Sequence, residues 1–202
     1  MKSDKRRPQP LACTARWAPS AGFSLVETIV ATGLLATSLV ALAQLLAVGT
    51  QTNAVARSGT LATILAQQKM EQLRSLTWGF DVSGIPLSDV STNTAMAPES
   101  PTGGTGLQPS PQDSLWRDST GYVDYLNAAG EVLGGGPSIP RGTVYVRRWS
   151  IQPLPADPNH TLVLQVLVRL RRSERSSGGV DSGVSRTADE ARILSVKSRK
   201  TP

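Results

Sequence analysis

Glu27 is the residue of this chain best placed to do chemistry. It is the only charged side chain between Phe23 and Val48, and it stands five residues after Gly22. A carboxylate inside an apolar stretch is costly unless it has a partner or a task. An opposite charge about 4 Å away gains about 4 kcal/mol at an effective dielectric of 20. Desolvation takes back much of that gain, so such a pair sets register more than it adds stability. Gly22 lies just ahead of the apolar run and offers an unobstructed, flexible backbone to a protease. Ala21-Gly22-Phe23 therefore reads as a processing site.

The other candidates are weaker. His160 is the single histidine, beside Pro158 and Asn159 in an expected turn, and reads as solvated rather than catalytic. Asp113, Asp118 and Asp124 do not match the ligand spacing of a calcium loop. Gly134-Gly135-Gly136 lacks the Lys-Ser/Thr and helix start of a phosphate loop. No catalytic residue, metal or cofactor is expected. Arg147-Arg148-Trp149, with Arg169, Arg171 and Arg172, sets cations beside an aromatic ring, the chemistry that holds single-stranded nucleic acid. Charge that keeps an edge strand soluble explains the same residues, and that reading is favoured here. Most of the +6 formal charge sits in residues 1–22, where Lys2, Lys5, Arg6, Arg7 and Arg16 face only Asp4.

A basic tail before an apolar helix is an orientation signal, placing the N-terminus inside and the bulk of the chain outside. Phe23 to Val48 is long enough to span, since a bilayer core needs about 20 residues. It exceeds the core of a secretory signal, about 7–15 residues. Beyond it, Leu61, Ile64, Leu65, Met70, Leu73 and Leu76 recur at helical spacing among Gln67, Gln68, Lys69, Glu71, Gln72 and Arg74. The pattern predicts an amphipathic continuation, so one helix over about residues 24–77, with weak points at Gly49 and Gly59. Residues 78–121 form a Gly/Pro-rich loop, with residues 98–111 its richest part. Strands are predicted over 122–126, 131–133, 143–151, 161–170 and 191–197, with Pro153, Pro155 and Pro158 as breaks and a polar loop over 173–187. The fold class is α+β, one long N-terminal helix packed on a small antiparallel sheet. The divisions are 1–22 (leader), 23–48 (transmembrane helix), 49–77 (amphipathic helix), 78–121 (loop) and 122–202 (sheet). Cys13, in the leader, is the only cysteine, so no intrachain disulfide can form.

Gly22-Phe23-Ser24-Leu25-Val26-Glu27 resembles the N-terminal motif of type IV pilins and type II secretion pseudopilins. The resemblance implies a basic leader cut after Gly22 by an inner-membrane prepilin peptidase, which also methylates the new amine on Phe23. It further implies that Glu27 pairs with the N-terminal amine of a neighbouring subunit as helices pack in a filament. Leu65 to Arg74 is similar to the equivalent stretch of PilV-like minor pilins and the I-type pseudopilin. Gln44 stands where many major pilins carry proline, and no disulfide-bounded loop can form, so the resemblance points to a minor subunit. The implied partners are the peptidase, sibling subunits and the inner membrane, with the head in the periplasm. The competing reading is a signal-anchored periplasmic binding module that never polymerises.

Overall fold

In the computed structural model, residues 22–95, 103–171 and 190–199 are described. The basic leader through residue 21 and the polar stretch 173–187 lie outside them. The chain divides into two compact units, Met1–Val48 and Gly49–Pro202. One helix, α1, runs Leu25–Ser75. The remaining elements are strands: β1 Trp78–Phe80, β2 Pro86–Ser88, β3 Val123–Leu126, β4 Val132–Gly135, β5 Tyr145–Leu154, β6 Asp157–Leu170 and β7 Glu190–Ser198. The α+β expectation holds: α1 packs on a five-stranded antiparallel sheet of order β4-β3-β5-β6-β7.

Ser24 begins α1 as an N-cap does, its carbonyl accepting the Thr28 N–H at 3.1 Å. The helix runs through Gly49 and Gly59 without a break. Up to Val48 its large apolar side chains are exposed. The apolar stretch has a mean hydropathy of 2.0, and α1 is long and apolar enough to cross a membrane. In the second unit, Ala62, Leu65, Ala66, Met70 and Leu73 are buried against Trp149 and Ile151 of β5 and Leu162, Leu164, Val166 and Val168 of β6. Ile64, expected in that stripe, is more than half exposed. The two alanines matter as much as the leucines, because small side chains let the helix approach the sheet closely.

Two sequence expectations change. Prolines 153 and 158 stand inside strands rather than breaking them. β3 flanks β5 only as far as Arg148, and β7 pairs β6 only from Thr161. Each proline therefore sits where its strand has a neighbour on one side at most, the position where a missing N–H is tolerated. The described parts of 78–121, residues 78–95 and 103–121, also hold more structure than a loop. The stretch opens with the β1–β2 hairpin, and its later part lies on the sheet, where Ser110 N–H donates to the Ile151 carbonyl at 2.9 Å. Leu107, Ser110, Ser114 and Leu115 are buried there.

The hairpin is pinned by Arg199. Its guanidinium stacks 3.6 Å over the Trp78 ring and donates to the carbonyls of Asn159, Gly79 and Leu87 and to Ser88 Oγ. Charged hydrogen bonds of this kind contribute about 1.5–3 kcal/mol each in favourable cases. Arg199→Ala is expected to speed hydrogen exchange at the hairpin amides of Asp81 and Asp89 by at least about tenfold. Exchange in β5 and β6 stays unchanged. Unaltered rates at Asp81 and Asp89 would contradict the pinning role.

Candidate assembly site and the buried ion cluster

Gly22 is exposed, and nothing lies within 4 Å of where its Cβ would stand. Phe23 is 83% exposed, and residues 22–24 precede the helix. The Gly22–Phe23 peptide bond is thus open on the described surface. Past it, the hydroxyls of α1 bond back to the helix's own carbonyls: Thr28 to Ser24, Thr32 to Thr28, Thr37 to Leu34 and Ser38 to Leu34. Back-bonding of this kind satisfies a hydroxyl where water is scarce. Glu27 is different. Ser24 and Glu27 have the spacing of a capping box, and an acid in the first turn suits the helix dipole. Yet among the described residues the Glu27 carboxylate has no hydrogen-bond or ion-pair partner. Gly22, Phe23 and Glu27 therefore stand together at one end of α1, two flanking an exposed peptide bond and one bearing a carboxylate without a partner among the described residues.

Arg147, Arg148 and Trp149 offer no nucleic-acid surface. They lie in β5, the central strand rather than an edge, and all three are buried. Arg148 pairs with Asp118 at 2.7 Å. Arg147 Nη2 pairs with Asp124 Oδ2 at 2.7 Å, and Lys69 Nζ reaches the same oxygen at 2.7 Å from α1. Arg147 also donates to the Leu65 carbonyl at 3.2 Å and Gln68 Oε1 at 3.4 Å. Lys69 donates to the Thr94 carbonyl and lies 4.2 Å from the centre of the Trp149 ring. Trp149 Nε1 has no hydrogen-bond partner among the described residues. Of the three aspartates weighed for calcium, two are thus held by arginine.

Lys69 was expected on the outward face with its polar neighbours. The signal against that was present: position 69 lies four residues from both Leu65 and Leu73, inside the apolar stripe. A lysine there demands a buried acid opposite, and Asp124 supplies it from β3.

His160 lies in β6 rather than in a turn. Its Nδ1 is 2.8 Å from Asp157 Oδ1, and Asp157 Oδ2 accepts from Thr161 Oγ1. Those hydrogen bonds, the histidine's first, hold the Asp157 carboxyl below its usual range. The pair braces the start of β6, and the hydroxyl beside it, that of Thr161, bonds to Asp157 rather than to the imidazole. No group of three His, Cys, Asp or Glu side chains able to hold a metal occurs among those residues. No protein-family model, curated protein or solved structure matches this chain.

Two predictions follow from the buried cluster. Removing one partner strands a buried charge, at about 3–5 kcal/mol. Asp124→Ala should therefore cost that much in denaturant unfolding, while Lys69→Met, Asp124→Leu and Arg147→Met combined cost far less. Equal losses would contradict the stranded charge as the source of the cost. Burial pushes the Lys69 pKa down to about 8, against the pull of Asp124. Between pH 8 and the ordinary lysine value of 10.5 the unfolded chain binds more protons here than the folded one. This group's contribution to stability therefore rises with pH through that window and is level below it. Stability measured relative to Lys69→Met should climb over the same range, and a flat difference would contradict the assignment.

Proposed function

We propose that this chain is a subunit of a type IV pilus-like or secretion pseudopilus filament, of the minor pilin or pseudopilin kind. The observation that carries the reading is Glu27: an acid with no partner among the described residues, on an exposed apolar helix that follows an open Gly22–Phe23 bond. The continuous α1, apolar and exposed to Val48 and then packed on an antiparallel sheet, supports it.

On this reading the precursor is anchored in the inner membrane by residues 23–48, with the sheet unit in the periplasm. A prepilin peptidase cuts after Gly22 and methylates the Phe23 amine. The new N-terminus is a cation, and the Glu27 carboxylate of an adjoining subunit is the nearest unmatched anion. Only one axial stagger between helices brings the two together, so the pair sets the step of the filament. The protein works by assembly rather than catalysis.

Mass spectrometry of the membrane or filament form should find a chain beginning at Phe23 and heavier by one CH2, a methyl group in place of an amine hydrogen. A chain still beginning at Met1, in cells whose peptidase is active, overturns the proposal. Glu27→Ala should be cut normally yet recovered in filaments at no more than about a tenth of the wild-type amount. Wild-type recovery would remove the pairing role.

A further inference from the structure

The β1–β2 hairpin carries exposed apolar side chains on a rigid frame. Val82 is fully exposed, Ile85 is 61% exposed and Leu87 50%. The turn between them is tightly bonded. Asp81 Oδ1 accepts from the Ser83 and Ile85 N–H groups, each at 2.8 Å. Asp81 N–H donates to the Ile85 carbonyl, and Gly84 N–H to the Asp81 carbonyl. Gly84 has φ +75°, a conformation that other residues rarely adopt. Arg199 fastens the base. A knob ordered in advance loses little entropy on docking. Asp81 Oδ2 has no hydrogen-bond partner among the described residues, so the tip is apolar with an acid beside it.

A groove of about 910 Å³ lies elsewhere on the same unit, between α1 and the β3–β4 turn. Leu61, Ile64, Ala128 and Ala129 give it apolar walls, and Asn53 and Arg57 a polar side. Arg57 has no acidic partner among the described residues. The groove is thus apolar with a cation beside it, the complement of the hairpin. The two lie toward opposite ends of the unit's stretch of α1. From Arg57 to Ser75, where the chain leaves for the hairpin, the helix rises about 27 Å.

We propose that the β1–β2 hairpin of one copy docks in the Arg57 groove of a second copy, with Val82 and Ile85 against Leu61 and Ile64 and Asp81 facing Arg57. Each copy offers both halves on separate patches. The contact is therefore head to tail, and such contacts build open filaments or closed rings rather than an isologous pair. The inference rests on the filament reading above and specifies which surfaces join the sheet units.

Two differently tagged full-length copies, both carrying Cys13→Ser, test it when expressed together. One carries Val82→Cys and the other Ile64→Cys, both at exposed positions whose replacement leaves the core intact. Oxidation in membranes should give a disulfide-linked dimer bearing both tags, well above what either copy gives alone. Arg57→Glu in the groove copy should lower that yield at least about fivefold. Absence of the mixed dimer overturns the contact. So does equally efficient linkage of the Val82→Cys copy to itself, or its linkage to a different protein. The N-terminal mass of the same sample separates the two readings. A missing dimer among chains that begin at Phe23 removes only this contact, whereas chains that begin at Met1 remove the filament reading as well.

Discussion

The sheet unit depends on one carboxylate shared by two cations. Asp124 on β3 sits beneath α1 with Lys69 and Arg147 both at 2.7 Å. Two cations against one anion leave positive charge in excess. The carbonyls of Thr94 and Leu65, the Gln68 side chain and the face of Trp149 receive it. The net gain in stability from such a cluster is small, because desolvation offsets most of the attraction. Its effect is on register. Sliding α1 by one turn would set Leu65 or Leu73 over Asp124 and strand Lys69 among Trp149 and the β6 leucines. The apolar stripe alone would accept that slip far more readily.

The last strand secures what the cluster positions. Lys197 of β7 donates to the carbonyls of Arg74 and Leu76, at 2.5 and 2.6 Å, closing the end of α1. Free carbonyls at a helix end need such partners. Two residues on, Arg199 holds the β1–β2 hairpin. Lys197 and Arg199 therefore join three elements distant in sequence: the helix end, the hairpin and the edge of the sheet. Their contacts with the helix end and the hairpin span at least 111 residues of sequence, which makes the unit strongly non-local.

Much of this was legible in the sequence because it rests on periodicity. The alternation over 161–170 predicted β6 from Thr161 onward, although the strand begins at Asp157, and the turn chemistry of Asn127 to Gly130 predicted the β3–β4 hairpin to within about two residues. The bounds of α1 followed from its apolar pattern to within about two residues. What escaped was set by pairing across the fold. Arg147 and Arg148 read as surface charge because nothing local reveals that β5 lies mid-sheet, or that Asp124 and Asp118 wait opposite. Lys69 read as outward because its neighbours in sequence are polar, although its helical neighbours are Leu65 and Leu73. The prolines at 153 and 158 read as breaks because the one-sided pairing that tolerates them is a property of the sheet.

The chain holds one acid buried in its core and one exposed on an apolar helix, and it treats them oppositely. Asp124 is buried by its own fold, and its own fold provides two cations. Glu27 stands in a stretch whose every neighbour through Val48 is uncharged, and whose hydroxyls are already occupied by the helix backbone. No described residue of this chain answers it. On the filament reading proposed above, the same electrostatic rule that explains Lys69 and Arg147 beneath the helix assigns the counter-charge for Glu27 to a neighbouring subunit. On that reading, a cationic amine freed at Phe23 of a neighbour supplies it with one bond cut. It places the counter-charge at the same end of the helix, where a stagger of a few residues brings donor and acceptor level.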